Sequence, residues 1–192
     1  MAIAWEFVMM SEDFITSQTI AQISKEFESQ IAIRSISSID DWGWSNQQKL
    51  DDIFSIEQKI NEGKIITVEI SSHIWKSLGL YIEKEDDIYT YTLWINAEGF
   101  PEIDADRITD KNKKYYDVAF SVLESLVEKY SIRFKCIAIG LESEIQYCPD
   151  MTKMISESSG VVSWLISSSC IINLPDGLKR VSLSKGLDAI IK

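Results

Sequence analysis

Histidine, cysteine, proline and glycine are all scarce in this chain. Its 192 residues include one histidine, three cysteines, three prolines and eight glycines. The lone His73 cannot support an imidazole-rich metal site, so any metal would have to rest on carboxylates. It follows Ser71 and Ser72, which invites a serine-nucleophile reading. Consecutive strand residues point to opposite faces, however, and neither serine lies in a G-x-S-x-G elbow. Cys136, Cys148 and Cys170 form an odd set without C-x-x-C spacing, which implies neither a disulfide framework nor a zinc site. Cys136 shares an alternating apolar row with Ile132, Phe134 and Ala138 and reads as a small buried hydrophobe. No glycine-rich loop follows a strand, so the phosphate-cradling motifs are absent too. The expectation is no catalytic set, no resident metal and no cofactor.

Positive charge is short as well. There are 30 acidic and 19 basic side chains, a net charge of −11. Residues 1–96 carry 16 acids against 7 bases, and residues 97–192 carry 14 against 12. The densest stretch runs from Glu83 to Asp110, with nine acids against Lys84 and Arg107. A field of this sign repels nucleic acid and anionic membrane surfaces and attracts a basic partner. Long apolar runs are missing. The longest nearly uncharged stretch, Ser158 to Leu174, is broken by serines and is too polar to span a bilayer. The amino terminus lacks a basic region and meets Glu12-Asp13 early, which argues against a signal peptide and for a cytoplasmic protein.

Hydrophobic periodicity supplies the elements. Ile3, Trp5, Phe7 and Met9 alternate as in a half-buried strand. Ser11 could cap a helix placing Phe14, Ile20, Ile23 and Phe27 on one face, followed by a strand over 30–37. Ser45 could cap a second helix over 46–61. Ile66, Val68 and Ile70 share one strand face. Residues 80–84 and 88–96 flank Glu85-Asp86-Asp87 as a hairpin with a charged tip. The strongest helix covers 111–130, with Tyr115, Ala119, Val122, Leu126 and Tyr130 on one face. A strand over 132–139, a short helix near 151–157 and an apolar run over 161–166 follow. In the tail, 178–183 could be a strand and 185–191 a last helical turn. No Pro/Gly-rich linker divides the chain, so residues 1–192 read as a single domain. The pattern favours an α+β fold, a mixed or mainly antiparallel sheet with about three helices packed on one face.

Two features suggest a binding surface. Glu102, Asp104 and Asp106 alternate, so in extended backbone they project to one side. With Glu83, Glu85, Asp86 and Asp87 they form a candidate acidic edge for the Lys or Arg of a partner. A Ca²⁺ or Mg²⁺ site and a plain solvated loop are the competing readings, and Ile108 breaks the EF-hand pattern. Trp42-Gly43-Trp44 places two indoles around a glycine in a loop preceded by Asp40-Asp41. Exposed, they are interface anchors; folded back, they belong to the core, where Trp5, Trp75, Trp94 and Trp164 are also expected.

The acid cluster of Glu83–Asp110, the aromatic segments around Trp42–Trp44 and Tyr91–Trp94, and the missing catalytic set together resemble the immunity proteins of bacterial polymorphic-toxin systems. That resemblance is one of style and rests on no diagnostic motif, so no family site residue is carried over. It implies a cytosolic α+β inhibitor that binds and occludes a cognate basic toxin of the nuclease type. A different intracellular binding or scaffold domain, and a carboxylate enzyme using a divalent metal, remain open beside it.

Overall fold

Strand-forming segments dominate the chain, and they assemble into one sheet. The computed structural model describes residues 4–14, 32–51, 55–71, 77–99, 101–103, 106–130, 134–183 and 186–192. Its strands are β1 (Ala4–Ser11), β2 (Ala32–Ile39), β3 (Gln48–Lys49), β4 (Ile65–Ser71), β5 (Leu78–Glu85), β6 (Ile88–Asn96), β7 (Phe134–Glu144), β8 (Ser159–Ser167), β9 (Lys179–Ser182) and β10 (Leu187–Ile191). They form a ten-stranded sheet in the order β3-β2-β4-β5-β6-β1-β7-β8-β10-β9. Every neighbouring pair is antiparallel. Three described helices accompany it: α1 (Ser55–Asn61), α2 (Lys113–Tyr130) and α3 (Met151–Glu157). The α+β class and the antiparallel sheet match the sequence expectation.

The helices do not share one face. Trp5, Phe7 and Met9 of β1 join a cluster with Ile56 and Ile60 of α1 and Tyr116, Ala119 and Leu123 of α2. Val8 and Met10, on the other side of β1, pack with Met154 and Ile155 of α3, Cys136, Ala138 and Trp164. Residues of opposite parity on one strand face opposite ways, so α3 lies across the sheet from α1 and α2. The reason is β1 itself. It is buried on both sides, whereas alternation alone suggested a half-buried strand, and two apolar faces need two covers.

Local corrections follow the same logic. Among the described side chains of α2, Tyr116, Ala119 and Leu123 are buried and Tyr115 is only partly so, while those of Val122, Leu126 and Tyr130 lie outside the described residues. Gln48–Lys49 pairs with Ser37–Ser38 as a short edge strand, where a helix was expected to begin. The end of the chain is the strand β10. Asp188 accepts hydrogen bonds from Ser168 Oγ and Arg180 Nε, while Arg180 also donates to the carbonyls of Ser168 and Cys170. That clamp ties the β9–β10 hairpin to the end of β8. The short helix α3 stands where expected, capped by Asp150, whose carboxylate accepts the Lys153 N–H at 3.1 Å. The expected helix after Ser11, His73 and Trp75 lie outside the described residues.

One glycine shapes the sheet surface. An added Cβ at Gly79 would sit 2.5 Å from the Trp94 indole of the adjacent strand. The ring therefore lies flat over Gly79, and only glycine leaves room for it. Gly79→Ala should destabilise the fold by about 1–3 kcal/mol through overpacking. In a Trp94→Ala background that penalty should largely vanish, read as positive coupling in urea unfolding. Equal losses in both backgrounds would show that the indole is not the obstacle.

Candidate functional site

The second face is covered by α3 over only part of its width. Across β5, β6 and the Glu6 end of β1 it stays open, and the strand register dictates what it displays. Glu83, Thr90 and Met10 form one row; Tyr81, Thr92 and Val8 the next; Gly79, Trp94 and Glu6 the third. The loop carrying Trp42 and Trp44 forms one wall, and the segment from Ser143 into α3 forms the other. Between them lies a cavity of about 560 Å³ lined by Glu6, Trp42, Tyr81, Glu83, Glu144 and Glu157 among others. A second cavity of about 410 Å³ adjoins it, sharing Tyr81 and bounded by Trp44, Trp94, Arg34 and Glu69. The larger cavity has four glutamates and, among the described residues, no Lys, Arg or His in its lining.

The tryptophan loop is built by the two aspartates before it. Asp41 Oδ1 accepts the Gly43 N–H at 2.7 Å, and the Trp44 N–H donates to the Asp41 carbonyl at 2.9 Å. Asp40 takes Asn46 Nδ2 at 2.7 Å and Lys64 Nζ at 2.6 Å. Those two partners, Asn46 foremost, hold the Asp40 carboxyl below its usual range. Asp40 and Asp41 therefore serve as scaffold, and this scaffold holds Trp44 at φ 60°, a strained conformation for a bulky side chain. Trp42 and Trp44 end up 51% and 48% exposed, half on the sheet and half in solvent. Trp42 meets Tyr81 edge-on with centroids 5.1 Å apart, and Tyr81 stacks near Trp94 at 5.9 Å.

The carboxylates are held from opposite walls. Glu6 is the sole charged residue of β1 and accepts the Ser143 N–H at 2.6 Å. Ser143 reaches it because the β7–β8 pairing bulges there, with Glu142 at φ 45° and Gly160 at φ 70°. Burial raises the Glu6 pKa above 4.5; the Ser143 bond partly counters this, and Glu142 adds to it. Glu83 is likewise raised, first by burial and then by Glu85, while a hydrogen bond from the Trp42 indole works against the shift. The Tyr81 hydroxyl is raised by burial and by the charge of Glu6, which places it under the influence of that carboxylate. Elsewhere, burial pushes the Cys136 thiol up to about 12, consistent with a packing role. Among the described residues, no three His, Cys, Asp or Glu are grouped to hold a metal, and no helix is long and apolar enough to cross a membrane.

Comparison of the chain with protein-family models, curated proteins and solved structures finds no match.

The structure divides the expected acidic edge. Glu83 and Trp42 line the larger cavity and Trp44 the smaller. Glu85, Asp86 and Asp87 form the exposed hairpin tip beside Glu83, with Asp86 at φ 52° in a two-residue turn. Glu102 and Asp106 are exposed at the other end of β6, about 30 Å away by strand length. Ala97 and Ile103 there bury into the α2-side cluster, so this stretch belongs to the other face. Glu102 also sits in a 3₁₀ turn, Pro101–Ile103, so it does not extend as the alternation implied. Asp104 lies outside the described residues. Sequence reasoning missed Glu6, Tyr81, Thr90, Thr92, Glu144 and Glu157. Only Glu6 left a signal, as a lone charge inside an otherwise apolar strand.

Because the folded pKa of Glu83 lies above its unfolded value, the stabilising protonated form is fully present below the usual Glu range. That contribution is lost as pH rises through the folded pKa. Glu83→Gln should therefore gain thermal stability relative to the unsubstituted protein between about pH 4 and about pH 7, read as a Tm difference that widens toward neutrality. A pH-independent difference would contradict the burial assigned to this carboxylate.

Proposed function

We propose that this chain is a non-catalytic binding protein that captures a basic protein partner in the open groove, in the manner of an immunity protein occluding a toxin. One observation carries the reading: the larger cavity of the groove holds four glutamates, two of them half-buried, with no cationic side chain among the described residues of its lining. A half-buried carboxylate without a counter-charge is unfavourable until a cation arrives. Such a site is better satisfied in complex than alone. Trp42 and Tyr81 add rigid aromatic surface beside those charges, the residue type that anchors interfaces. A Lys- or Arg-bearing surface that binds phosphate in a nuclease would meet carboxylates here in place of phosphates. A cytosolic setting accords with three cysteines that are all free.

The roles of the acids separate by depth. Exposed Glu144 and Glu157, with the hairpin tip, supply a field that steers the partner in, whereas Glu83 and Glu6 pair with it at close range. Rim charges act on association and desolvated pairs on dissociation. The partner is to be sought first in the product of the neighbouring gene. For that complex, the on-rate should fall roughly tenfold or more between low and high salt, and Glu144→Gln/Glu157→Gln should reproduce part of the fall. Glu83→Gln should instead raise the off-rate about tenfold or more, measurable by surface plasmon resonance. Tight binding with a salt-independent on-rate would sink the electrostatic mechanism.

A further inference from the structure

We infer that the groove reads two basic side chains at once, held apart on a single extended segment of the partner. This deepens the reading above and rests on it. Glu83 shares a row with Met10 two strands away, and Glu6 lies four residues from Met10 along β1. Two strand spacings and four residue rises put the Glu83 and Glu6 Cα atoms about 16 Å apart. Their carboxylates are drawn further toward opposite walls, Glu6 by the Ser143 N–H of β7 and Glu83 by the Trp42 indole. A guanidinium fork fits one carboxylate bidentately, and strand side chains stand away from the sheet. One cation therefore satisfies one of these acids and leaves the other.

Tyr81 lies between them, in the row of Thr92 and Val8. Its ring, supported by Trp42 and Trp94, is a surface over which a backbone can cross. In an extended segment, residues i and i+4 point the same way and stand about 13 Å apart, so two long side chains at that spacing reach both carboxylates. Adjacent basic residues point in opposite directions and do not. Arginine suits the half-buried positions better than lysine, because guanidinium is more weakly hydrated and pairs bidentately. Charge complementarity favours this occupant over a neutral sugar, which would leave both carboxylates uncompensated.

The test uses two acetylated, amidated pentapeptides of identical composition and charge, Arg-Ser-Ser-Ser-Arg and Arg-Arg-Ser-Ser-Ser, titrated at low salt with tryptophan emission and calorimetry as readouts. The spaced peptide should bind roughly tenfold or more tightly, as expected when a second contact becomes intramolecular. Glu6→Gln and Glu83→Gln should each abolish that preference, while Glu102→Gln, on the other face, retains it. Equal affinities for the two peptides in the unsubstituted protein would overturn the two-point reading but leave a cation-binding groove. No binding of either peptide would remove the groove's cationic role altogether, and the proposed function with it. Binding of neutral cellohexaose, undiminished in Glu83→Gln, would replace both with a sugar site.

Discussion

Everything in this fold depends on β1 pairing with β6 on one side and β7 on the other. Strands β2 to β6 form one antiparallel half of the sheet and β7 to β10 the other, each made by strands close in sequence. Without β1, each would present a free edge to the other, an open template for misassociation. β1 closes that gap through pairings as distant as Trp5 with Ile95 and Trp5 with Leu141, contacts whose loop-closure entropy must be met before they stabilise. The strand meets that requirement by burying apolar side chains on both faces. Trp5 and Phe7 meet α2 and the main core, while Val8 and Met10 meet Cys136 and the cluster under α3.

Glu6 is the exception inside that strand, and it marks where the sheet stops being covered. α3 shields β7, β8 and β10, but β5, β6 and the Glu6 end of β1 stay open beneath the tryptophan loop. Maintaining that opening has structural costs: Trp44 sits at positive φ, Trp94 needs a glycine beneath it, and two carboxylates are half-buried without a cation among the described residues. Strain and uncompensated charge tend to gather where function requires them. A groove for a basic partner gives these separate features one common reason.

Local signals made much of the fold legible. The hairpin around Asp86-Asp87, the strand Ile65–Ser71 and the capped helix α3 were readable because periodicity and turn chemistry act over a few residues. Errors came where the decisive neighbour was distant. Lys185–Ile191 has the composition of a helical turn, yet Leu187–Ile191 is the strand β10, held between β8 and β9 and tied to β9 by the Asp188–Arg180 pair. Trp94 reads as core by composition, but Gly79 on the next strand lets it lie on the open face. Glu83 and Trp42 were visible as site candidates, whereas Tyr81, Glu144 and Glu157 were invisible until the register placed them together.

The sequence by itself determined the chemistry on offer: an excess of carboxylates, two indoles flanking a glycine, strands rich in β-branched residues, and few histidines or cysteines. Composition and short-range pattern suffice for that, because they belong to each segment alone. Only the tertiary structure decided which carboxylates share a surface. Along the chain Glu83 and Glu102 looked like one acidic edge, yet β6 carries them to opposite ends of the sheet. Glu6 and Glu83, 77 positions apart, open into the same groove, because strand register sets a side chain's row and residue parity sets its face.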